Sequence, residues 1–65
     1  MTADEVRVLL REACRKAGSQ SAWAEEHNVS GSYVSDLVHG RREPGDKVLA
    51  ALGLERVAVT YRRLK

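Results

Sequence analysis

Apolar positions recur every three or four residues from residue 2 to residue 53 of this 65-residue chain, and every second residue beyond it. The first spacing predicts helices and the second predicts strand. The opening stripe is Val6, Leu9, Leu10, Ala13 and Ala17, with Cys14 beside it, so a first helix is expected over Thr2 to Ala17. Arg7, Glu12, Arg15 and Lys16 fall mostly on its wet side. Thr2-Ala3-Asp4-Glu5 has the form of a capping box, and Gly18 stands where a helix would close.

The stretch from Gln20 to His39 contains two short amphipathic patterns separated at Asn28-Val29-Ser30. Ser19 can cap the first pattern, in which Trp23 and Ala24 are the inward candidates. Asn28 tolerates a left-handed backbone, and Ser30 can cap the second helix, expected over Ser30 to Val38. In that helix Val34 and Leu37 face inward with Val38 flanking, while Gly31, Ser32, Ser35, Asp36 and His39 face outward. Ala24, with one methyl in the middle of its helix, lets a second helix cross closely over it, which is a helix-turn-helix arrangement. Gly40 ends the helix and Arg41-Arg42 follow at once. Pro44 is placed to occupy the first position of a fourth helix, with Asp46 in its first turn, Val48, Leu49 and Leu52 inward, and Gly53 closing it.

From Leu54 the pattern changes: Val57, Val59 and Tyr61 alternate with Ala58, Thr60 and Arg62. With no second strand in view, such a strand needs a partner for its backbone, and the same strand of another copy would supply one. The expected fold is therefore mainly α: four short helices containing a helix-turn-helix, plus a C-terminal β-strand pairing across a dimer through Val57, Val59 and Tyr61. Residues 1–53 would form the helical domain, and residues 54–65 the dimerisation strand and a basic tail.

Several of these residues also resemble a known pattern. Gln20, Ala24, Asn28, Val29, Val34 and Leu37 fall at the first, fifth, ninth, tenth, fifteenth and eighteenth positions of the DNA-binding unit of the lambda repressor and Cro group of regulators. Gly40-Arg41-Arg42-Glu43-Pro44 resembles the exit that often follows such recognition helices. Two positions depart from the pattern: the ninth is Asn where Gly is commonest, and the eighth, usually apolar, is His27. The resemblance implies a small phage or prokaryotic repressor working as a homodimer on a palindromic operator in double-stranded DNA. It implies base reading by Gly31, Ser32, Ser35, Asp36 and His39, and phosphate contacts from Gln20, Ser30, Tyr33, Arg41 and Arg42. Asp36 could accept from cytosine N4. Tyr33 could offer its hydroxyl to a phosphate or its ring to a thymine methyl. No Gln or Arg on this face supplies a bidentate base contact, so no operator can be read from it.

Charge strengthens the picture only through its distribution. The net charge is +2, but residues 1 to 40 carry four basic and six acidic groups, a balance of −2, while residues 41 to 65 carry seven and three, a balance of +4. Positive charge thus begins where the recognition helix ends. Length predicts one marginal domain, since a chain of about 60 residues buries only about 60% of its unfolded surface and a single cysteine allows no internal disulfide. No apolar run approaches a membrane span, so a soluble, cytoplasmic protein of a prokaryotic or phage-infected cell is expected. His27 and His39 lack partners at metal-ligand spacing, Cys14 lies on an apolar stripe, and no glycine-rich phosphate loop is present. Neither an enzyme nor a cofactor nor a small-molecule ligand is expected. The alternative reading is a protein-binding module on the same fold, an antitoxin or anti-repressor.

Overall fold

The first three helices each begin where a local side-chain acceptor closes the first turn. In the computed structural model of the chain, which describes residues 1–58 and 60–64, Thr2 and Glu5 form the expected capping box. The Glu5 N–H donates to Thr2 Oγ1 (3.2 Å) and the Thr2 N–H donates to Glu5 Oε1 (2.9 Å). Donation to the carboxylate from Thr2, its backbone N–H first and its hydroxyl second, favours the charged form and holds Glu5 below its ordinary pKa. From this cap α1 (Ala3–Ala17) runs to Gly18, burying Val6, Leu10 and Cys14. Next come α2 (Gln20–Glu26), α3 (Gly31–Val38), α4 (Asp46–Ala51), β1 (Leu54–Val57) and β2 (Thr60–Arg63). Ser19 caps α2 by accepting from the Ala22 N–H at 3.0 Å, and Ser30 caps α3 by accepting from the Tyr33 N–H at 3.0 Å.

Two apolar clusters form the core. The larger joins Leu10 and Cys14 of α1, Trp23 and Ala24 of α2, Val34, Leu37 and Val38 of α3, and Val48 of α4. The smaller joins Val6, Leu49, Leu54 and Tyr61. Half-buried Leu52 packs against both, so the clusters are continuous. Trp23 is 3% exposed and is a core residue, with the half-buried His27 ring against it at a centroid distance of 4.3 Å. The eighth position of the turn pattern therefore still contributes packing, through an aromatic face.

The mainly α fold with C-terminal strand structure is as expected, but the strand is not one strand. β1 and β2 pair antiparallel within the chain, with Leu54 opposite Arg63 and Val57 opposite Thr60. The chain reverses at Ala58, whose φ is +55°. Period-two alternation is the same for one long strand as for two short ones about a tight turn, and neither Gly nor Asn marks this turn. The expected single strand is thus a hairpin, and the dimerisation role expected of Tyr61 is corrected. Tyr61 is 7% exposed and lies in the chain's own core, while Val57 is exposed. On its other edge β2 meets Met1, whose backbone N and O bond the Tyr61 backbone at 2.7 and 2.9 Å. Val59 lies outside the described residues. The hairpin shares a cluster with α1 and α4, so Leu54 and Tyr61 complete the helical core.

A second correction concerns Pro44. Helix α4 starts at Asp46 with Gly45 as its N-cap, which leaves the buried Pro44 one residue before the cap. The reason is tertiary: the Gly45 N–H donates to Tyr33 Oη at 2.9 Å, and a Cβ on Gly45 would sit 2.9 Å from that oxygen. Among the described residues no helix is long and apolar enough to cross a membrane.

The capping box has a pH signature. With the folded-state pKa of Glu5 lowered, its contribution is full above the ordinary glutamate range and is lost as pH falls through the lowered value. Thermal melts along a descending pH series should show this loss, and Glu5→Gln should reduce it, while Glu12, which Arg15 likewise holds low, still contributes. Truncation of Tyr61 tests the hairpin: Tyr61→Ala should cost about 3 kcal/mol or more in urea denaturation. That loss should not depend on protein concentration, because the residue packs within one copy.

Candidate functional site

Helices α2 and α3 end in the same way, and the two endings shape the exposed surface between them. After α2, Asn28 has φ +55°, the Val29 N–H donates to the Ala24 carbonyl (3.0 Å), and the Asn28 N–H donates to the Glu25 carbonyl (3.3 Å). After α3, Gly40 has φ +77°, the Arg41 N–H donates to the Asp36 carbonyl (2.8 Å), and the Gly40 N–H donates to the Leu37 carbonyl (3.2 Å). Both are Schellman endings, which satisfy the last carbonyls and turn the chain sharply. The first swings α3 across α2 at Ala24, 2% exposed. The second brings Arg41 and Arg42 back alongside the helix they follow.

Helical periodicity puts Ser32, Asp36 and His39 on one outward strip of α3 with Ser35 beside it, opposite the buried Val34, Leu37 and Val38. Gly31 and Ser32 are exposed at the start of this strip. A Cβ on Gly31 would meet only Ser21 Oγ, at 3.8 Å, which is ordinary contact. The fold therefore does not need glycine there, and its effect is to keep the start of the helix slim. His39 stands at the other end, about 12 Å along the axis. Its Nδ1 lies 2.8 Å from the Ser35 carbonyl, which can only accept, so Nδ1 carries the proton and the ring is tied to its own helix.

Asp36 does not stand free on the strip. Its Oδ1 accepts from Arg41 Nη1 and its Oδ2 from Arg42 Nε, each at 3.3 Å. Both guanidinium groups assigned from the sequence to phosphates are thus held beside a carboxylate assigned to base edges. The Arg42 guanidinium also lies over the Tyr33 ring, 5.9 Å from its centroid. Tyr33 itself is half-buried, with its hydroxyl accepting from Gly45, so its role is to fasten the exit loop to α3. The hydroxyl proton remains available to an acceptor. Ser30 Oγ is likewise used as an acceptor by the cap and keeps its proton. Gln20 occupies the first turn of α2, half-buried, as expected.

Three cations have placements that sequence patterning did not single out. Lys47 Nζ donates to the Asn28 carbonyl at 2.9 Å, which sets an exposed ammonium beside the turn that leads into α3. Neither its neighbours nor its spacing in α4 signals this, because the contact spans 19 residues. From the other side, Arg11 Nη2 donates to the Val38 carbonyl (3.4 Å), and the Arg7 guanidinium lies 3.2–3.4 Å from where a Cβ on Gly40 would sit. Positive charge at the C-terminal end of α3 offsets the helix dipole there. A cavity of about 270 Å³ lies between α1 and the exit loop, lined in part by Arg7, Leu10, Leu37 and Pro44.

Among the described residues, no three His, Cys, Asp or Glu side chains come together as a metal site. Cys14 is buried, and burial raises its thiol pKa, so the reactive thiolate is disfavoured. Removing the loop fastening should be measurable: Tyr33→Phe should cost about 1 kcal/mol, because the half-buried Gly45 N–H is left without its acceptor. Denaturant titration of the two proteins checks it.

Comparison of the chain with protein-family models, with curated proteins and with solved structures found no match in any of the three.

Proposed function

We propose that the protein is a sequence-specific DNA-binding repressor that inserts α3 into the major groove and acts as a homodimer on a palindromic operator, in the cytoplasm, repressing its own gene. The observation that carries this reading is the bracketing of one exposed helix face by cations at both ends. Lys47 stands beside the turn before α3, and Arg41 and Arg42 follow its end. The helix between them is about 12 Å long, comparable with the width of a major groove, so the two cation positions suit phosphates on either side of it. Gly31 and Ser32 leave the leading end slim enough for close approach to base edges, and the free protons of Ser30 and Tyr33 suit phosphate oxygens.

Size supports the dimer. The chain measures 29 Å in its longest dimension, whereas successive major-groove faces lie about 34 Å apart. One copy therefore serves one half-site. With Tyr61 committed to the core, two copies would meet through other surface, where Val8, Val57 and Leu64 are exposed large apolar residues among those described.

The test is a mobility-shift series across salt concentrations, using DNA from upstream of the coding sequence with random duplex as competitor. A specific shift that weakens steeply with salt supports the reading; no shift at low salt favours a protein partner instead. Changing Arg41 and Arg42 together to Ala should weaken binding to all sequences alike. It should also reduce the slope of log K against log salt by about 0.9 for each phosphate that the variant no longer neutralises.

A further inference from the structure

Asp36 is placed where an acidic residue does little for its helix. It lies in the last turn of α3, at the negative end of the dipole, where a carboxylate is unfavourable. Its backbone carbonyl accepts the Arg41 N–H, so the Schellman ending itself fixes Arg41 over Asp36, and the carboxylate then receives both Arg41 and Arg42. The Asp36 side chain is 30% exposed and each arginine side chain 63% exposed. Ion pairs as exposed as this contribute little net stability, so they orient the arginines without locking them. A phosphate with two charge-accepting oxygens competes on nearly equal terms. When it wins, the Asp36 carboxylate is left without its cations, facing a polyanion.

Building on the DNA-binding reading above, we infer that Asp36 is a positioning and specificity-determining residue: it holds Arg41 and Arg42 ready beside α3 and competes with DNA phosphate for them. On random duplex the released carboxylate has no new partner and repels the backbone, so the arginines transfer incompletely. At a site offering a base-edge donor, such as a cytosine amino group, the carboxylate exchanges its arginines for that donor and the transfer completes. Asp36 thereby makes the sequence-independent contacts conditional on sequence, which is discrimination by repulsion from wrong sites as much as by attraction to right ones.

The test measures affinity for a random-sequence duplex, across a salt series, for the native protein, Asp36→Asn, Asp36→Glu, the Arg41→Ala/Arg42→Ala double variant, and the double variant carrying Asp36→Asn. Circular dichroism on each confirms folding, which is expected because Asp36→Asn removes an unfavourable charge from a helix end and the arginine side chains are exposed. Asp36→Asn should raise random-duplex affinity several-fold and steepen the salt slope, as arginines are freed for phosphate, and Asp36→Glu should stay near the native values. In the double variant the same Asp36→Asn change should produce much less gain, because there are no arginines to free. An equal gain in both backgrounds would show a remote charge effect only and overturn the inference while leaving DNA binding intact. A native protein that fails to bind random duplex at low salt would overturn the DNA reading itself, and this role of Asp36 with it.

Discussion

The architecture depends on the fact that three of its four helices are too short to persist alone. With seven, eight and six residues, α2, α3 and α4 fall well below the length of about 12–15 residues at which an isolated helix becomes even marginal in water. They exist because each presents two or three buried apolar side chains to the core, and because α2 and α3 are capped by serines at their starts. Val34, fully buried, is the pivot of that cluster, and Leu10 of the long α1 supports it from the other side. So small a core draws a buried apolar residue from every helix and both strands. That constraint draws Tyr61 inward and makes the hairpin a wall of the domain.

The same economy shapes the exposed face. One Schellman ending lets α3 cross α2, and a second returns the arginine pair to α3, so the backbone geometry that terminates the helices also delivers the charged groups. Tyr33 joins the two functions: its ring edge belongs to the packed side, its hydroxyl fastens Gly45, and its face lies under Arg42. The proposed DNA surface is therefore rigid where the backbone sets it and loosely held where exposed ion pairs set it. That contrast lets a ligand rearrange charges without rearranging the fold.

Much of the helical half was legible because its signals are local. The Thr2–Glu5 box, the serine caps at positions 19 and 30, the left-handed Asn28 and the inward set Val34, Leu37 and Val38 each depend on residues within one or two turns. The hairpin was not legible, because alternation carries no sign of direction and Ala58 is an uncommon residue in a left-handed turn. Pro44 pointed to the wrong first position because Gly45 bonds to a tyrosine twelve residues away. Of the candidate site residues, the positions along α3 were readable from helical spacing, whereas the engagement of Asp36, Tyr33 and Lys47 was not.

What the sequence determined by itself was the set of helices, the caps of the first three and the faces they bury, because propensity, capping and apolar spacing act between near neighbours. What only the tertiary structure decided was the company each polar group keeps: Lys47 against the Asn28 carbonyl, Tyr33 against Gly45, and Asp36 between two arginines. It also decided that the hairpin packs on the core, since the smaller cluster needed Leu54 and Tyr61 to close around Val6 and Leu49. The physical reason is range. Dihedral preferences and caps are settled within a turn or two, whereas which side chain meets which carbonyl depends on how whole elements pack, and that is a property of the full set of buried surfaces.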